Sequence, residues 1–148
     1  MTSATTPKTV DLGGDGLQRE AIANAIITPG MLLALDANGR VGPHSNAGQE
    51  GVVGFAKEYD LTGRGIDDAY ASGDQVIYKI PYEGAAFYGI LASGQNVARG
   101  ALLTSDGTGR LKAAGSTDMV YAIAQEAVNA TGAAARIRAM WHKGRGIA

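Results

Sequence analysis

The chain contains no cysteine, so disulfide staples and thiolate chemistry are both excluded. That absence fits a protein made in a reducing cytoplasm. Aromatic residues are scarce at 6%, which leaves the core to aliphatic side chains and alanine. Charge is balanced to a net −1, giving no electrostatic footprint for nucleic acid or for an anionic membrane. No apolar run approaches the ~18 residues that a membrane-spanning helix needs. The first residues also lack the basic-then-apolar order of a signal peptide. A soluble protein is expected, with neither nucleic acid nor membrane as partner.

Reactive constellations are missing too. The only histidines, His44 and His142, lie far apart in polar, loop-like contexts and form no metal-ligand cluster. Asp67-Asp68 would point to opposite sides of a strand and reads as a solvated acidic turn. No Gly-x-Ser-x-Gly elbow is present, and no Gly-rich phosphate loop ending in Lys-Ser/Thr. Gly13-Gly14-Asp15-Gly16 lacks the preceding hydrophobic strand that a dinucleotide fingerprint requires. No enzymatic activity, cofactor, metal or small-molecule substrate is expected.

What the chain does have is a segment written twice. Gly30-Met-Leu-Leu-Ala-Leu-Asp-Ala-Asn-Gly-Arg-Val41 returns as Gly100-Ala-Leu-Leu-Thr-Ser-Asp-Gly-Thr-Gly-Arg-Leu111, identical at six of twelve positions. Each copy is a short apolar run, a turn, then Arg and an aliphatic residue. That pattern reads as a β-hairpin, with Asn38-Gly39 and Thr108-Gly109 supplying a residue that tolerates positive φ. Val53-Gly-Phe-Ala-Lys-Glu58 is echoed by Tyr121-Ala-Ile-Ala-Gln-Glu126, and Gln75–Ile80 corresponds loosely to Ala135–Trp141. The two-residue slippage falls in loops, where a change of length costs little. Glu58 and Glu126 thus occupy matching positions, which fits a shared surface position better than an acid–base pair.

Short apolar stretches punctuated by Gly, Asn, Asp and Pro predict many short strands. Within Gln75–Tyr82, Val76, Tyr78 and Ile80 share one face, as expected of a half-buried antiparallel strand. Helical signals at Leu17–Ile27 and Val120–Asn129 are weak, and the repeat argues for strand in the second. The expected fold is all-β: a compact β-barrel or sandwich-like domain with an internal duplication and an extended N-terminal arm. The arm covers 1–24, the β domain 25–142 in two related halves (about 25–82 and 94–142), and a tail 143–148.

Candidate contact residues follow from this layout. Val10, Leu12, Leu17 and Ile22 are scattered apolar positions of an otherwise polar, glycine-rich arm, suited to ordering on a neighbour. Arg136 and Arg138 alternate with Ile137 and Ala139, so both guanidiniums lie on one strand face and form a contact stripe. Trp141, the single tryptophan, is either a barrel plug or an interface anchor. The basic, glycine-containing tail after it could lie on a partner surface.

Pro29-Gly30-Met31-Leu32-Leu33, Gly39-Arg40-Val41, Val52-Val53-Gly54-Phe55-Ala56 and Ala71-Ser72-Gly73-Asp74-Gln75-Val76, in that order, resemble tailed-bacteriophage capsid decoration (cement) proteins. The second half, Gly100-Ala101-Leu102-Leu103 with Gly109-Arg110-Leu111 and Ala122–Ala127, is similar again. The resemblance spans about Ile26 to Trp141. It implies a β-barrel-like domain, often a homotrimer, seated on the virion's capsid exterior at three-fold or quasi-three-fold positions. There it would clamp neighbouring subunits of the major capsid protein, with no enzymatic activity. Two alternatives stand beside it: a tail or baseplate β module, and a small carbohydrate-binding or hydrolytic β domain.

Overall fold

A computed structural model describes residues 6–145. Its regular elements are thirteen strands and one 3-10 turn. In chain order the strands are β1 (Asp11–Gly13), β2 (Gly16–Ile22), β3 (Leu32–Leu35), β4 (Val41–Pro43), β5 (Gly54–Ala56), β6 (Gln75–Pro81), β7 (Ala86–Leu91), β8 (Gln95–Val97), β9 (Leu102–Ser105), β10 (Leu111–Ala113), β11 (Met119–Ala124), β12 (Val128–Ala130) and β13 (Ala135–Arg145).

The repeated segment is a hairpin in both copies. Leu35 pairs with Val41 and Ser105 with Leu111. One carboxylate oxygen of Asp36 accepts the N–H of Asn38 (2.8 Å) and of Arg40 (3.0 Å). Asp106 does the same for Thr108 (2.8 Å) and Arg110 (3.1 Å). Gly39 and Gly109 close the turns at φ of 77° and 84°, where a side chain would be strained.

The equivalence runs through both sheets. Leu33 pairs with Gly54 and Leu103 with Ala122, so the offsets are 103 − 33 = 70 and 122 − 54 = 68. The first sheet has the order β2-β6-β5-β3-β4, and a parallel bridge from Ala23 to Val41 closes it into a ring. The second ring runs β7-β13-β11-β9-β10 and closes by the parallel pair Leu91–Leu111. The fold is therefore a tandem pair of five-stranded rings with one topology.

Matching positions fill the two interiors: Leu33 and Leu103, Val41 and Leu111, Ala56 and Ala124, all buried. Elsewhere sizes trade. Ala23 and Tyr78 of the first interior correspond to Leu91 and Ala139 of the second, so a small residue replaces a large one at one site and the reverse holds at the other. Near-constant volume is what a close-packed core tolerates. Leu32 and Phe55 point away from the first interior and join the core of the second. The two rings thus share one apolar joint.

Several expectations need correction. The segment 1–24 is not an arm throughout: β2 is the first strand of the first ring, hydrogen-bonded along its length to β6, and β1 pairs with β7. Scattered polar and glycine residues masked β2, of whose seven residues only Gly16 and Ala21 are partly buried. The repeat units accordingly begin at β2 and β7, earlier than 25 and 94. Lys143 to Arg145 belong to β13 rather than to a tail, while residues 1–5 and 146–148 lie outside the described residues. β6 is buried on both faces, with Ile77 and Lys79 covered as well as Val76 and Tyr78. Val120–Asn129 forms no helix: it carries most of β11, as the repeat implied, and the start of β12.

Candidate functional site

Among the described residues, no group of three or more His, Cys, Asp or Glu could hold a metal. The polar side chains converge instead on the joint between the rings. His44, expected in a polar loop, is 1% exposed. Its Nδ1 lies 2.7 Å from Ser105 Oγ and its Nε2 lies 2.9 Å from the Glu50 carbonyl. A carbonyl only accepts, so Nε2 carries a proton and the imidazole bridges a first-ring loop to β9. Backbone bonds reinforce the bridge: Gly109 N–H donates to His44 O (3.2 Å) and Leu32 N–H to Gly109 O (2.8 Å). The tip of the second hairpin is thereby docked on the first ring. Tyr121 Oη adds a bond to Gln49 O at 2.7 Å, and burial raises the pKa of this phenol.

Arg136 works at the same joint. Its guanidinium donates to Pro29 O and Ile66 O, both at 2.6 Å, and to Tyr88 O at 3.3 Å. Asp67 sits 3.6 Å away, and the cation lies over the Tyr88 ring. Burial lowers its pKa, opposed by the Asp67 charge. A planar fork of donors suits this set of convergent carbonyls better than an ammonium would. Arg138 is half-buried and meets Glu126, whose carboxylate also accepts the Arg138 N–H at 2.9 Å. The two arginines therefore hold internal groups and do not form an open stripe. The alternation with Ile137 and Ala139 was correct, but the outer face of β13 packs on other parts of the chain.

Trp141 is a plug. It is 6% exposed and lies among Phe87 and Tyr121, with ring centroids 6.2 and 5.8 Å away. Val10 is fully buried in the same core. Thr9 Oγ1 and Val10 N–H donate to the two oxygens of Glu58, at 2.8 and 2.9 Å. Glu58 is thus a buried acceptor for the N-terminal segment, not a surface carboxylate. Lys79 reaches Asp11 at 3.0 Å and Gly14 O at 2.7 Å, fixing the segment from its other side. His142 pairs with Glu83, whose pKa is lowered by that hydrogen bond. Asp67 is exposed, and Asp68 accepts the Gly65 N–H at 2.7 Å, which makes this stretch a turn.

Leu12 is half-buried on β1, while Leu17 and Ile22 are 39% and 40% exposed on β2. Gln18, Arg19 and Glu20 between them are also exposed. Of the proposed contact residues, then, Leu17 and Ile22 remain open to a partner. The feature that sequence reading missed is the edge they belong to. Its signal was the repeat itself, since the counterpart of β7 had to lie near residue 20.

No protein-family model matches the chain, and no curated protein does. The fold is similar to that of the head fiber gp8.5 N base in bacteriophage phi29, seen in a crystal structure. The TM-score is 0.59 at 12% sequence identity, over 88% of this chain and 98% of that one.

Proposed function

We propose that this chain is a structural protein of a phage virion that sits on the outside of the head and binds the major capsid protein. The observation that carries the reading is the fold likeness to a head-fibre base, which extends over 98% of that base. The side chains support it. His44 and the partly buried Arg136 hold the two rings together, and the buried carboxylate Glu58 holds the N-terminal segment. A rigid, two-ring body is suited to clamping neighbouring shell subunits, and a homotrimer would multiply weak contacts at a three-fold site.

The test is co-sedimentation of the purified protein with expanded, undecorated heads of the same phage, titrated to saturation. Saturable binding at a copy number that divides into the three-fold sites is the expected result. Absence of binding would refute the head reading and turn attention to tail proteins. Truncation of residues 1–24 is not a suitable test, because it removes β2 from the first ring.

A further inference from the structure

The two rings differ in how one strand edge is covered. In the second ring, the outer edge of β7 is occupied by β1, with Asp11 opposite Phe87 and Gly13 opposite Ala86. Tyr88 N–H donates to Val10 O at 2.8 Å. The counterpart of β7 in the first ring is β2, since Arg19 faces Tyr78 as Phe87 faces Ala139. Beyond the single bridge at Ala23, β2 has no strand on its outer side among the described residues.

The outward backbone groups on that edge can be identified; of these, the Gln18 carbonyl accepts from the Arg19 guanidinium at 3.3 Å. Tyr82 N–H donates to Asp15 O and Ala23 N–H to Asp74 O. Odd-numbered residues of the strand therefore turn their backbone groups toward β6. Gln18 and Glu20 turn theirs outward. Glu20 stands 88 − 20 = 68 residues before Tyr88, the same offset that relates Arg19 to Phe87, so its N–H is the counterpart of the one that Val10 satisfies.

We propose that this edge is a docking strand, and that an extended segment of a neighbouring shell protein adds to it antiparallel, as β1 adds to β7. The identity of the partner rests on the head-binding reading above; the edge does not. β1 displays the peptide chemistry that fits: main-chain hydrogen bonds plus an aliphatic residue such as Val10 seated beside them. Leu17 and Ile22, partly exposed at the two ends of β2, offer apolar contact to such a strand.

A second copy of the chain fits less well. Each chain carries one β1 and two edges of this kind, so exchange of β1 between copies still leaves β2 open. A symmetric antiparallel pair that uses all of Gly16–Ile22 would centre on Arg19 and set two guanidiniums opposite one another, which is unfavourable. The same charges guard the edge against self-pairing while leaving its N–H groups reachable.

Amide hydrogen exchange and head binding test this together. Glu20→Pro removes an outward N–H without removing a bond to β6, and Glu20→Ala keeps it. With heads bound, exchange in 16–22 should slow about tenfold or more, Glu20→Pro should bind about tenfold more weakly, and Glu20→Ala within about twofold of the parent. A synthetic peptide of residues 8–13 is the second probe, and should slow exchange at Gln18 and Glu20. If folded Glu20→Pro binds heads as the parent does, with 16–22 exchanging freely, the edge proposal is overturned and head binding stands. If heads are not bound but the peptide still protects Gln18 and Glu20, the edge is supported and the head reading falls. Protection of those amides in the protein alone, with dimers in sedimentation, would overturn the assignment to a foreign strand.

Discussion

Phe55 of the first ring and Phe87 of the second stack with centroids 4.8 Å apart and planes 13° from parallel. Each is fully buried, so the two rings share this contact and the core of the second is completed by residues of the first. Phe55→Ala should cost about 3–5 kcal/mol, from lost burial and the cavity left behind. Phe87→Ala should cost a similar amount, and the double variant less than the sum, because the two rings touch. Urea melts would measure all three. In the parent, Trp141 fluorescence and far-ultraviolet circular dichroism should give one coincident transition; separate transitions would show that the rings unfold independently.

His44→Ala should destabilise the protein by about 2–4 kcal/mol, combining a cavity with the buried Glu50 carbonyl and Ser105 hydroxyl left without their partner. His44→Gln, which retains donors and an acceptor, should recover part of the loss. A melt for His44→Ala indistinguishable from the parent would mean that the imidazole does not bridge the rings.

Acid should act through the turns. The pKa of Asp36 is lowered by the hydrogen bond from Asn24 and then by the backbone N–H groups it accepts, and that of Glu83 by His142. A carboxylate with a depressed folded-state pKa stabilises the fold above its unfolded value, and this contribution is lost as pH falls through the lower folded value. Asp36→Asn and Glu83→Gln do not titrate, so the double variant should lose less stability than the parent below about pH 4. Chemical melts at a series of pH values would measure the slope.

Alkali should act through the buried phenols. Burial pushes Tyr70 up to about 12, and its hydroxyl donates to Lys57 O at 2.6 Å. The unfolded tyrosine ionises first, so stability is intact below about pH 10 and falls as pH rises toward the folded value. Tyr70→Phe should begin less stable at neutral pH, for want of one hydrogen bond, and should lose less between pH 10 and 12. Equal slopes would mean that Tyr70 ionises freely in the folded protein.

The hairpins were legible because their chemistry is local. Asp36 and Asp106 hold backbone groups within four residues, and glycine supplies the positive φ, so the turn is written in a dozen positions. The second ring strand β11 was legible through its kinship with β5. β2 was not, since Gly16-Leu-Gln-Arg-Glu-Ala-Ile22 is a strand by virtue of β6, more than fifty residues away, and not by its own pattern. Nor was the fate of the contact candidates. Alternation along β13 told which side Arg136 faces, but not that Pro29 and Ile66 would be waiting there. His44 and Glu58 were misjudged for the same reason: polar residues look solvated until a distant segment supplies their partners.

The sharing of one core has a consequence in time. Synthesis proceeds from the first ring to the second, so every strand of the first ring exists before β7 has been made. Until then Leu32 and Phe55 have nothing to cover them, and Val10 has no strand to lie beside. The nascent chain passes through a period in which a closed ring displays a bare apolar flank and a loose leading segment. That interval, more than the finished molecule, is when the protein is exposed to aggregation and to capture by chaperones.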